Sequence, residues 1–395
     1  MKKIHTLILL ILLILGISGA EAQTLHAIIF ANTKCPGNPR NPKDNGIGPS
    51  VTADFQRMNI EFKTMANFIG YKADIQVYKD TQSQFCREKL DAALDNLTCG
   101  KDDIVFFYYS GHGARPEGST TDQFPHMHLV VDPYHARWNP SHYYPLSKVL
   151  TRIKAKNPRL TIVFGDLCNR PSPDVPSKEL PEMRGATKMS QAPCDFYRDL
   201  FLSVKGHIIT ASSKPNETSA AYSNGGAYTI GFSEALQTMV SENMKPDWET
   251  LLEGSKRLTY AMSSRNGSPQ TPIYETSLQR VGIPSTVTPT PQPTVPAIQE
   301  SASLEECLTA IGSSSTPVKE RIRLASTTLP KFFASPTAKV EILGKDGKTI
   351  VATKYARQYI DNLSIARNLS KVLTVNHEEA QGGKISYLKV HEIYQ

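Results

Sequence analysis

Short strand-like runs alternate with segments of helical periodicity through the first two thirds of the chain, and this alternation constrains the fold most strongly. Strands are predicted at 25–30, 73–78, 104–109, 160–164 and 206–211, with a last element near 272–274. Apolar residues recur at helical spacing over 51–69, 90–97 and 146–153. Since strands that alternate with helices build parallel sheets, the sequence predicts an α/β fold with a mostly parallel sheet and helices on both faces.

Two local features refine this prediction. Ser50 directly precedes the first helical segment and is predicted to be its N-cap. Residues 129–131 are predicted to form one arm of a hairpin between the third and fourth strands.

The first 22 residues have the pattern of a secretory signal peptide. Lys2 and Lys3 precede an unbroken aliphatic run over 7–15, and Ala20–Ala22 forms a cleavage site of the small-x-small type. A membrane anchor is the rival interpretation, but the apolar run is short for a bilayer span. We therefore expect a mature chain that begins at Gln23 and is exported to the periplasm or the extracellular space, without a stable membrane anchor.

Composition divides the rest of the chain into three parts. Residues 23–283 hold the alternating pattern, and the Pro/Thr-rich stretch 284–301 has few charges and is predicted to be an extended linker. Residues 302–395 show helical patterning over 304–333 and strand-like runs after it, with a hairpin turn at 344–347. This last part is predicted to be a small α+β domain.

The charge balance and the cysteine content exclude several classes of protein. The chain of 395 residues holds 44 Lys and Arg against 37 Asp and Glu, a net charge of +7 without a basic arm, so nucleic acid is not predicted as a partner. Six cysteines are too few for a disulfide scaffold, and no Cys-x-x-Cys pair indicates zinc. His126, His128, His135 and His142 cluster in one region, but no Cys or carboxylate lies at ligand spacing from them. No metal site is therefore predicted.

A histidine and a cysteine follow neighbouring predicted strands. His112 follows the third strand and Cys168 follows the fourth. Because ligands bind beyond the C-terminal ends of the strands in open α/β sheets, both side chains are expected at one edge of the sheet. A cysteine needs a base or a positive neighbour to become a thiolate near neutral pH. Glycines on both sides of His112 let the backbone approach a substrate carbonyl, whose oxyanion is expected to bind the amides of Gly113 and Cys168.

Each of these two residues alone has an ordinary explanation. A cysteine at a strand end is usually a small buried apolar residue, and a histidine after a strand is usually a loop residue. Their joint placement at matching strand ends, with glycines beside the histidine, favours a nucleophilic site over both explanations.

The segments around these residues resemble those of a known peptidase family. Residues 107–113 (Phe-Tyr-Tyr-Ser-Gly-His-Gly) resemble the His-Gly motif of caspases and metacaspases, and residues 166–168 (Asp-Leu-Cys) resemble the nucleophile motif of metacaspases. Weaker similarity follows at 131–133 and over 210–229, so that the resemblance covers roughly residues 24–280. The chain departs from the family where Asn-Arg, instead of His-Ser-Gly, follows the cysteine.

The resemblance implies a caspase-like cysteine endopeptidase of an exported, bacterial type, with its peptidase domain over 23–283. Cys168 would be the nucleophile and His112 its acid/base partner, in a dyad without an assured third member. Ser110 and Asp166 match positions that line the pocket for the residue before the scissile bond. Some metacaspases use calcium, and the resemblance leaves this cofactor open without assigning carboxylates to it.

A carboxylate in that pocket predicts cleavage of protein or peptide substrates after Arg or Lys. At an effective dielectric constant of ~20, opposite charges ~4 Å apart attract by roughly 4 kcal/mol before desolvation. Asp166 is the candidate, because a side chain two residues before Cys168 leaves the same face of the strand. The competing preference for Asp substrates needs an arginine in the pocket, for which Arg40 and Arg170 are the candidates.

Two other functions fit the same residues. A catalytically weak or inactive binding module on the caspase fold would contact its partner through residues 302–395. A transpeptidase would use the same dyad to transfer an acyl group to an amine. If the chain is a peptidase with basic specificity, the Pro-rich loop over 171–193, which holds basic residues, is a candidate for self-cleavage.

Overall fold

The computed structural model describes most of the chain. The described residues are 23–41, 44–115, 122–134, 139–171, 193–242, 244–265, 267–283, 302–313, 316, 318–335, 337–365, 369–380 and 382–394. The predicted signal peptide, the predicted linker and residues 172–192 of the predicted loop after Cys168 lie outside them. The domain boundaries and the self-cleavage of that loop therefore stay predictions.

Strands and helices alternate as the sequence predicts. Strands β1 to β15 are, in chain order, Thr24–Ala31, Lys72–Lys79, Ile104–Ser110, Gly113–Ala114, His126–His128, Tyr143–Pro145, Leu160–Asp166, Val204–Ala211, Ala221–Tyr222, Gly225–Gly226, Ile273–Arg280, Lys339–Leu343, Ile350–Tyr355, Leu369–Ala380 and Lys384–Tyr394. Helices α1 to α9 are Gly48–Ile69, Arg87–Asn96, Leu146–Lys154, Pro193–Leu202, Ala227–Ser241, Trp248–Arg265, Leu304–Gly312, Val318–Phe332 and Ala356–Ile365.

A six-stranded sheet forms the centre of the first domain. Its strand order is β11-β8-β7-β3-β1-β2, and all its ladders are parallel except the antiparallel pairing of β11 with β8. Strands β3 and β7 are neighbours, with Ser110 opposite Asp166 at their C-terminal ends. The mostly parallel α/β fold is therefore confirmed, and the residues that follow β3 and β7 lie at one edge.

Helices cover both faces of this sheet. Alternate residues of β3 enter two different hydrophobic clusters, with Phe106 and Tyr108 in one and Phe107 in the other. The first cluster includes residues of α1, α4, α5 and α6, and the second includes residues of α2 and α3. Because both faces are buried, the strands read as continuous apolar runs in the sequence.

The predicted hairpin arm over 129–131 is wrong in its position. The strand of this region is β5, which pairs with β4 and β6 in a separate three-stranded sheet. The carbonyls of Val130 and Val131 instead accept hydrogen bonds from Asn32 Nδ2, at 3.0 and 3.2 Å. A side chain thus takes the place of a neighbouring strand at these two residues.

The predicted N-cap at Ser50 is also wrong. Helix α1 begins at Gly48, with Ile47 in the cap position and Pro49 in the first turn. Proline is favoured there because its fixed φ suits the helix and its missing N–H has no partner to lose. Ser50 therefore lies within the helix, where it is buried.

Residues 302–394 form a second, smaller α+β unit. Its sheet has the order β13-β12-β15-β14, and its hydrophobic core includes Leu308, Val340 and Leu388. The helical pattern over 304–333 is divided between α7 and α8. The predicted turn is present, with Gly347 N donating to Gly344 O (2.9 Å). Within the described ranges, no helix has both the length and the apolar character needed to span a membrane.

Candidate active site

Strand β7 delivers Cys168 to the C-terminal edge of the sheet. After the strand ends at Asp166, Ser212 Oγ accepts a hydrogen bond from Leu167 N (2.9 Å) and donates one to Leu167 O (2.7 Å). Ser213 Oγ donates to the same carbonyl (3.0 Å). Because side chains satisfy this peptide in place of a neighbouring strand, the chain leaves the sheet here and presents Cys168 beyond its edge.

Asn169 anchors the other side of the nucleophile. Its side chain is completely buried, and its Nδ2 donates to Gln123 O (2.8 Å) and Ser213 O (3.0 Å). Its main-chain N–H donates to Glu217 O (3.0 Å). The departure from the His-Ser-Gly of metacaspases thus places beside Cys168 a buried amide that is anchored through its Nδ2, and this anchoring contact was not predicted from the sequence.

His112 follows β3 in a loop that is bonded to β7. Gly111 N donates to Asp166 O (3.2 Å), which joins the two strand ends. Tyr109 Oη donates to His112 O (2.6 Å) and to His128 O (3.0 Å), and His128 N also donates to His112 O (3.0 Å). The backbone of His112 is therefore fixed by the buried hydroxyl of the strand that precedes it.

The imidazole of His112 is held neutral. Burial lowers its pKa from 6.5 to about 4, so the ring carries no charge near pH 7. Among the described residues, His112 Nε2 has no hydrogen-bond partner. A neutral ring with an unpaired buried nitrogen is able to take up a proton, as a general base must.

The Cys168 thiol contacts the segment that follows β8. Ser219 N donates to Cys168 Sγ (3.3 Å), and Sγ lies 4.0 Å from Ser219 O. Burial raises the pKa of the thiol, as does the charge of Asp166, whereas the Ser219 N–H and the charge of Arg170 lower it. Near pH 7 the free protein therefore holds a protonated thiol, whose ionised form the Ser219 N–H favours.

The loops that carry His112 and Cys168 touch at Gly113. A Cβ on Gly113 would lie 2.7 Å from Cys168 O and 2.6 Å from Leu167 Cδ1. Only glycine permits this approach without a shift of the nucleophile loop. The structure thus brings the two sequence-predicted loops into direct backbone contact.

Gly113→Ala is expected to lower the free energy of unfolding by about 1–3 kcal/mol, because the new methyl group overlaps a backbone carbonyl. Urea denaturation measures this change. Gly282→Ala is the matched control, since a Cβ there meets nothing within 4 Å, and its effect should stay within about 0.5 kcal/mol. Equal stabilities of the two variants would contradict the tight contact.

Two buried carboxylates lie beside the nucleophile. Asp166 at the end of β7 is 5% exposed and Asp54 on α1 is 1% exposed. Ser110 Oγ donates to Asp54 Oδ2 (2.9 Å). A Cβ on Gly226 would lie 2.2 Å from Asp166 Oδ2 and 3.0 Å from Asp54 Oδ2, so the two carboxylates converge on this glycine. Asp54 is a site residue that was not predicted from the sequence.

The Asp166 carboxylate is bonded on both oxygens. Ser219 Oγ donates to its Oδ1 (2.7 Å), and Thr229 donates to its Oδ2 from both N (3.0 Å) and Oγ1 (2.9 Å). Thr229 lies in the first turn of α5, so the carboxylate also caps that helix. Ser219 is therefore shared, since its hydroxyl contacts Asp166 and its N–H contacts Cys168.

The carboxylate pair is incompletely neutralised. Burial and the charge of Asp166 raise the pKa of Asp54, and burial raises that of Asp166. Arg57 Nη1 lies 3.6 Å from Asp54 Oδ1 and opposes this rise. The ion pair of Arg57 is with Asp54, whereas Asp166 is bonded to the neutral donors Ser219 and Thr229. Asp54 precedes the buried Met58 by one helical turn, and a carboxylate on the apolar stripe of a helix is the sequence signal that would have found it.

The two arginines considered for an acidic specificity are placed differently. Arg40 is exposed in the loop after β1. Arg170 lies near the thiol, and its charge lowers the pKa of Cys168. Asp54 and Asp166 are buried between α1 and the sheet edge, with Arg57 beside Asp54.

The chain is similar to two solved structures at low sequence identity. Caspase-1 from Spodoptera frugiperda is 12% identical with a TM-score of 0.39, over 65% of this chain and 87% of that chain. A protein from Geobacter sulfurreducens is 16% identical with a TM-score of 0.37, over 65% of this chain and 93% of that chain. Among curated proteins, none matches the sequence.

A protein-family model matches the greater part of this chain. The family model described as the caspase domain matches residues 26–281, which is well over half of the chain. The matched region runs from β1 to β11 and includes His112, Cys168 and both buried carboxylates. The resemblance inferred from the motifs is therefore confirmed at the level of the family, and the chain belongs to the caspase domain family.

Proposed function

We propose that this chain is a cysteine endopeptidase that cleaves peptide bonds after Arg or Lys through Cys168 and His112. Caspase-like peptidases act on protein substrates. The observation that carries the proposal is the shared role of Ser219, whose N–H donates to Cys168 Sγ and whose hydroxyl donates to Asp166. A substrate side chain bound at the carboxylates therefore has its own carbonyl close to the sulfur.

The reaction begins with a proton transfer, because near pH 7 Cys168 is a thiol and His112 is neutral. As the sulfur attacks the substrate carbonyl carbon, the thiol proton passes to His112 and the π electrons of the carbonyl move to its oxygen. Collapse of this tetrahedral intermediate breaks the C–N bond, and His112 gives its proton to the leaving amine. Water then hydrolyses the thioester, which releases the acid and restores the thiol.

The oxyanion of the intermediate is assigned to the main-chain amides of Gly113 and Cys168. Gly113 lies opposite Met127 in the β4–β5 ladder, next to the hydrogen bond from His128 N to His112 O. Antiparallel ladders alternate bonded and non-bonded pairs, so the Gly113 N–H is directed away from β5. Its loop lies against that of Cys168, so the two amides are on touching segments.

The carboxylate pair supports basic specificity. Burial makes the two carboxylates bind protons more tightly than exposed ones, and at Asp54 the charge of Asp166 adds to this effect while Arg57 opposes it. The positive charge of a substrate Arg or Lys would stabilise their ionised forms. An acidic side chain would add a third negative charge to the cluster and is expected to be rejected.

The pH dependence of substrate binding follows from the raised pKa values of Asp54 and Asp166. A protonated carboxyl attracts a cation weakly, so KM for an Arg substrate should fall as the pH rises from about 6 to about 8. A peptide with Ala before the scissile bond is the control, and its KM should stay nearly constant. Parallel pH profiles of KM for the two peptides would contradict the role of the carboxylates.

A peptide library varied at the residue before the scissile bond tests the proposal. We expect wild-type protein to cleave after Arg and Lys, and Cys168→Ala to cleave no member. If no member is cleaved and iodoacetamide labels all thiols equally slowly near neutral pH, the binding module is the better description. Ligated product in the presence of an added amine would identify a transpeptidase.

Calcium enters no step of this mechanism. Within the described ranges, no group of three or more His, Cys, Asp or Glu side chains is close enough to hold a metal ion. Calcium takes six to eight oxygen ligands, more than the two buried carboxylates Asp54 and Asp166 supply. The described residues therefore do not fit a calcium site.

We also propose that the protein acts outside the cytoplasm, on the pattern of residues 1–22. N-terminal sequencing of the mature protein should give Gln23 as the first residue. Retention of Met1 in a membrane-bound form would support the anchor instead.

A further inference from the structure

We infer that Gln270 is a positioning residue for the nucleophile, acting through the segment that supplies the Ser219 N–H. This inference rests on the proposed function. Gln270 lies between α6 and β11 and is completely buried. None of the hydrogen bonds of its side chain goes to Cys168 or to the two carboxylates. They go to Ser212 on one side of the nucleophile and to the segment 219–220 on the other.

The Gln270 amide joins these two segments. Its Nε2 donates to Ser212 O (2.8 Å) and to Ser219 Oγ (3.2 Å), and its Oε1 accepts from Ala220 N (2.7 Å). Ser212 is also the residue whose hydroxyl anchors the start of the nucleophile loop. One planar group therefore sets the separation between that anchor and the peptide that donates to the sulfur.

The backbone around Gln270 is itself fixed. Gln270 N donates to Ser263 Oγ (2.9 Å), and this hydroxyl donates to Thr259 O (2.9 Å) on α6. The next residue, Thr271, donates from N to Glu217 Oε2 (2.7 Å). Since these bonds hold the main chain on both sides, the Gln270 side chain acts as a rigid spacer from α6 to the nucleophile.

The position of the Ser219 N–H matters because the charges near the sulfur oppose each other. Asp166 disfavours the thiolate of Cys168, whereas Arg170 favours it. A hydrogen bond to sulfur becomes stronger as the sulfur becomes negative. A displaced Ser219 amide would therefore leave the developing thiolate without its nearest donor.

The test is Gln270→Met, which keeps the length of the side chain and removes its donors and its acceptor. We measure the rate of Cys168 alkylation by iodoacetamide across pH, with mass spectrometry to resolve each cysteine. The rate near pH 7 should fall by about tenfold, the scale of one hydrogen bond to a charged group, and the profile should move to higher pH. The kcat for an Arg peptide should fall more than its KM changes.

Ser255→Ala is the matched control. It removes a buried hydroxyl from α6 that bonds to Leu251 O and takes no part in the hydrogen bonds around Gln270. Its alkylation profile at Cys168 should match that of wild type even where its stability falls. A shift equal to that of Gln270→Met would show that any loss of stability in α6 moves the profile, and would overturn the inference.

Gln270→Asn is the second variant, since it keeps both polar groups and withdraws them by one methylene. Wild-type alkylation of Cys168 in folded Gln270→Met or Gln270→Asn would overturn the inference, and failure of both variants to fold would reduce Gln270 to a structural residue. Alkylation needs no substrate. If wild type cleaves no peptide, the proposed function fails, while the alkylation profile still decides the role of Gln270.

Discussion

Cys168→Ala is expected to abolish peptide cleavage and to leave the fold intact. The anchors of its loop are Ser212, Ser213 and Asn169, which bond to neighbouring residues and not to the sulfur. Hydrolysis of a fluorogenic Arg peptide measures the loss, and thermal unfolding checks the fold. Cys86→Ala, at a partly exposed cysteine before α2, is the matched control and should keep full activity.

His112→Ala should lower kcat by about 10²- to 10⁴-fold, the usual contribution of a general acid–base group. His207→Ala is its control, because His207 lies near the start of β8, at the opposite end of the sheet from the site. Full activity in Cys168→Ala or in His112→Ala would contradict the assignment of the dyad.

Asp54→Asn is expected to lower cleavage after Arg by about 10- to 100-fold, or about 1.4–2.8 kcal/mol of transition-state stabilisation, with a much smaller effect on a neutral substrate. The charge is lost, but the contacts are preserved. Asparagine Oδ1 still accepts from Gly226 N, and its Nδ2 donates to Ser110 once that hydroxyl turns round. The measurement is kcat/KM for matched peptides with Arg and Ala before the scissile bond.

Asp166→Asn should reduce cleavage after Arg in the same way, with an added loss of stability. Its two oxygens accept three hydrogen bonds from Ser219 and Thr229, so an amide NH₂ either faces the fixed Thr229 N–H or requires the Ser219 hydroxyl to turn round, and the charge that caps α5 is lost. Urea denaturation separates the two effects. If an Asp peptide is cleaved faster than the matched Arg peptide, the carboxylates do not select the substrate and the caspase-like preference replaces this proposal.

The sheet, and the placement of His112 and Cys168 at one edge of it, were predictable from the sequence because both depend on local patterns. Strands such as β3 and β7 are buried on both faces, so they appear as apolar runs. His112 and Cys168 directly follow these two runs, and parallel strands bring such positions to one edge. Ser110 and Asp166 share that edge for the same reason, as opposite residues of the β3–β7 ladder.

The partners of the remaining site residues depend on long-range contacts that no local pattern reveals. Asp54 is marked in the sequence only by its place on the apolar stripe of α1, and one of its oxygens accepts a hydrogen bond from Gly226 N, far along the chain. Gln270 follows a turn and meets Ser212 and Ser219 only through the fold. The role of such polar residues is recognised only once the hydrogen-bond partners of their buried atoms are known.

Helices α4 and α5 escaped prediction for different physical reasons. Helix α5 is buried around most of its surface, so its apolar residues form no stripe with the helical period. Helix α4 begins at Pro193, directly after the Pro-rich segment 172–192. The prolines of that segment predict a loop, and they obscure the start of the helical pattern that follows.

Because of the position of β7 in the sheet, the chain can be cut after this strand without loss of strand pairing. Its neighbour β3 precedes it in sequence, whereas its other neighbour β8 comes after residues 172–192. A break between Pro171 and Pro193 therefore leaves every ladder of the six-stranded sheet intact. It also separates Cys168 and His112 on one polypeptide from Ser219 and Gln270 on the other. The fold is thus compatible with two associated polypeptides from one gene, and each half, expressed separately, would hold only part of the surroundings of Cys168.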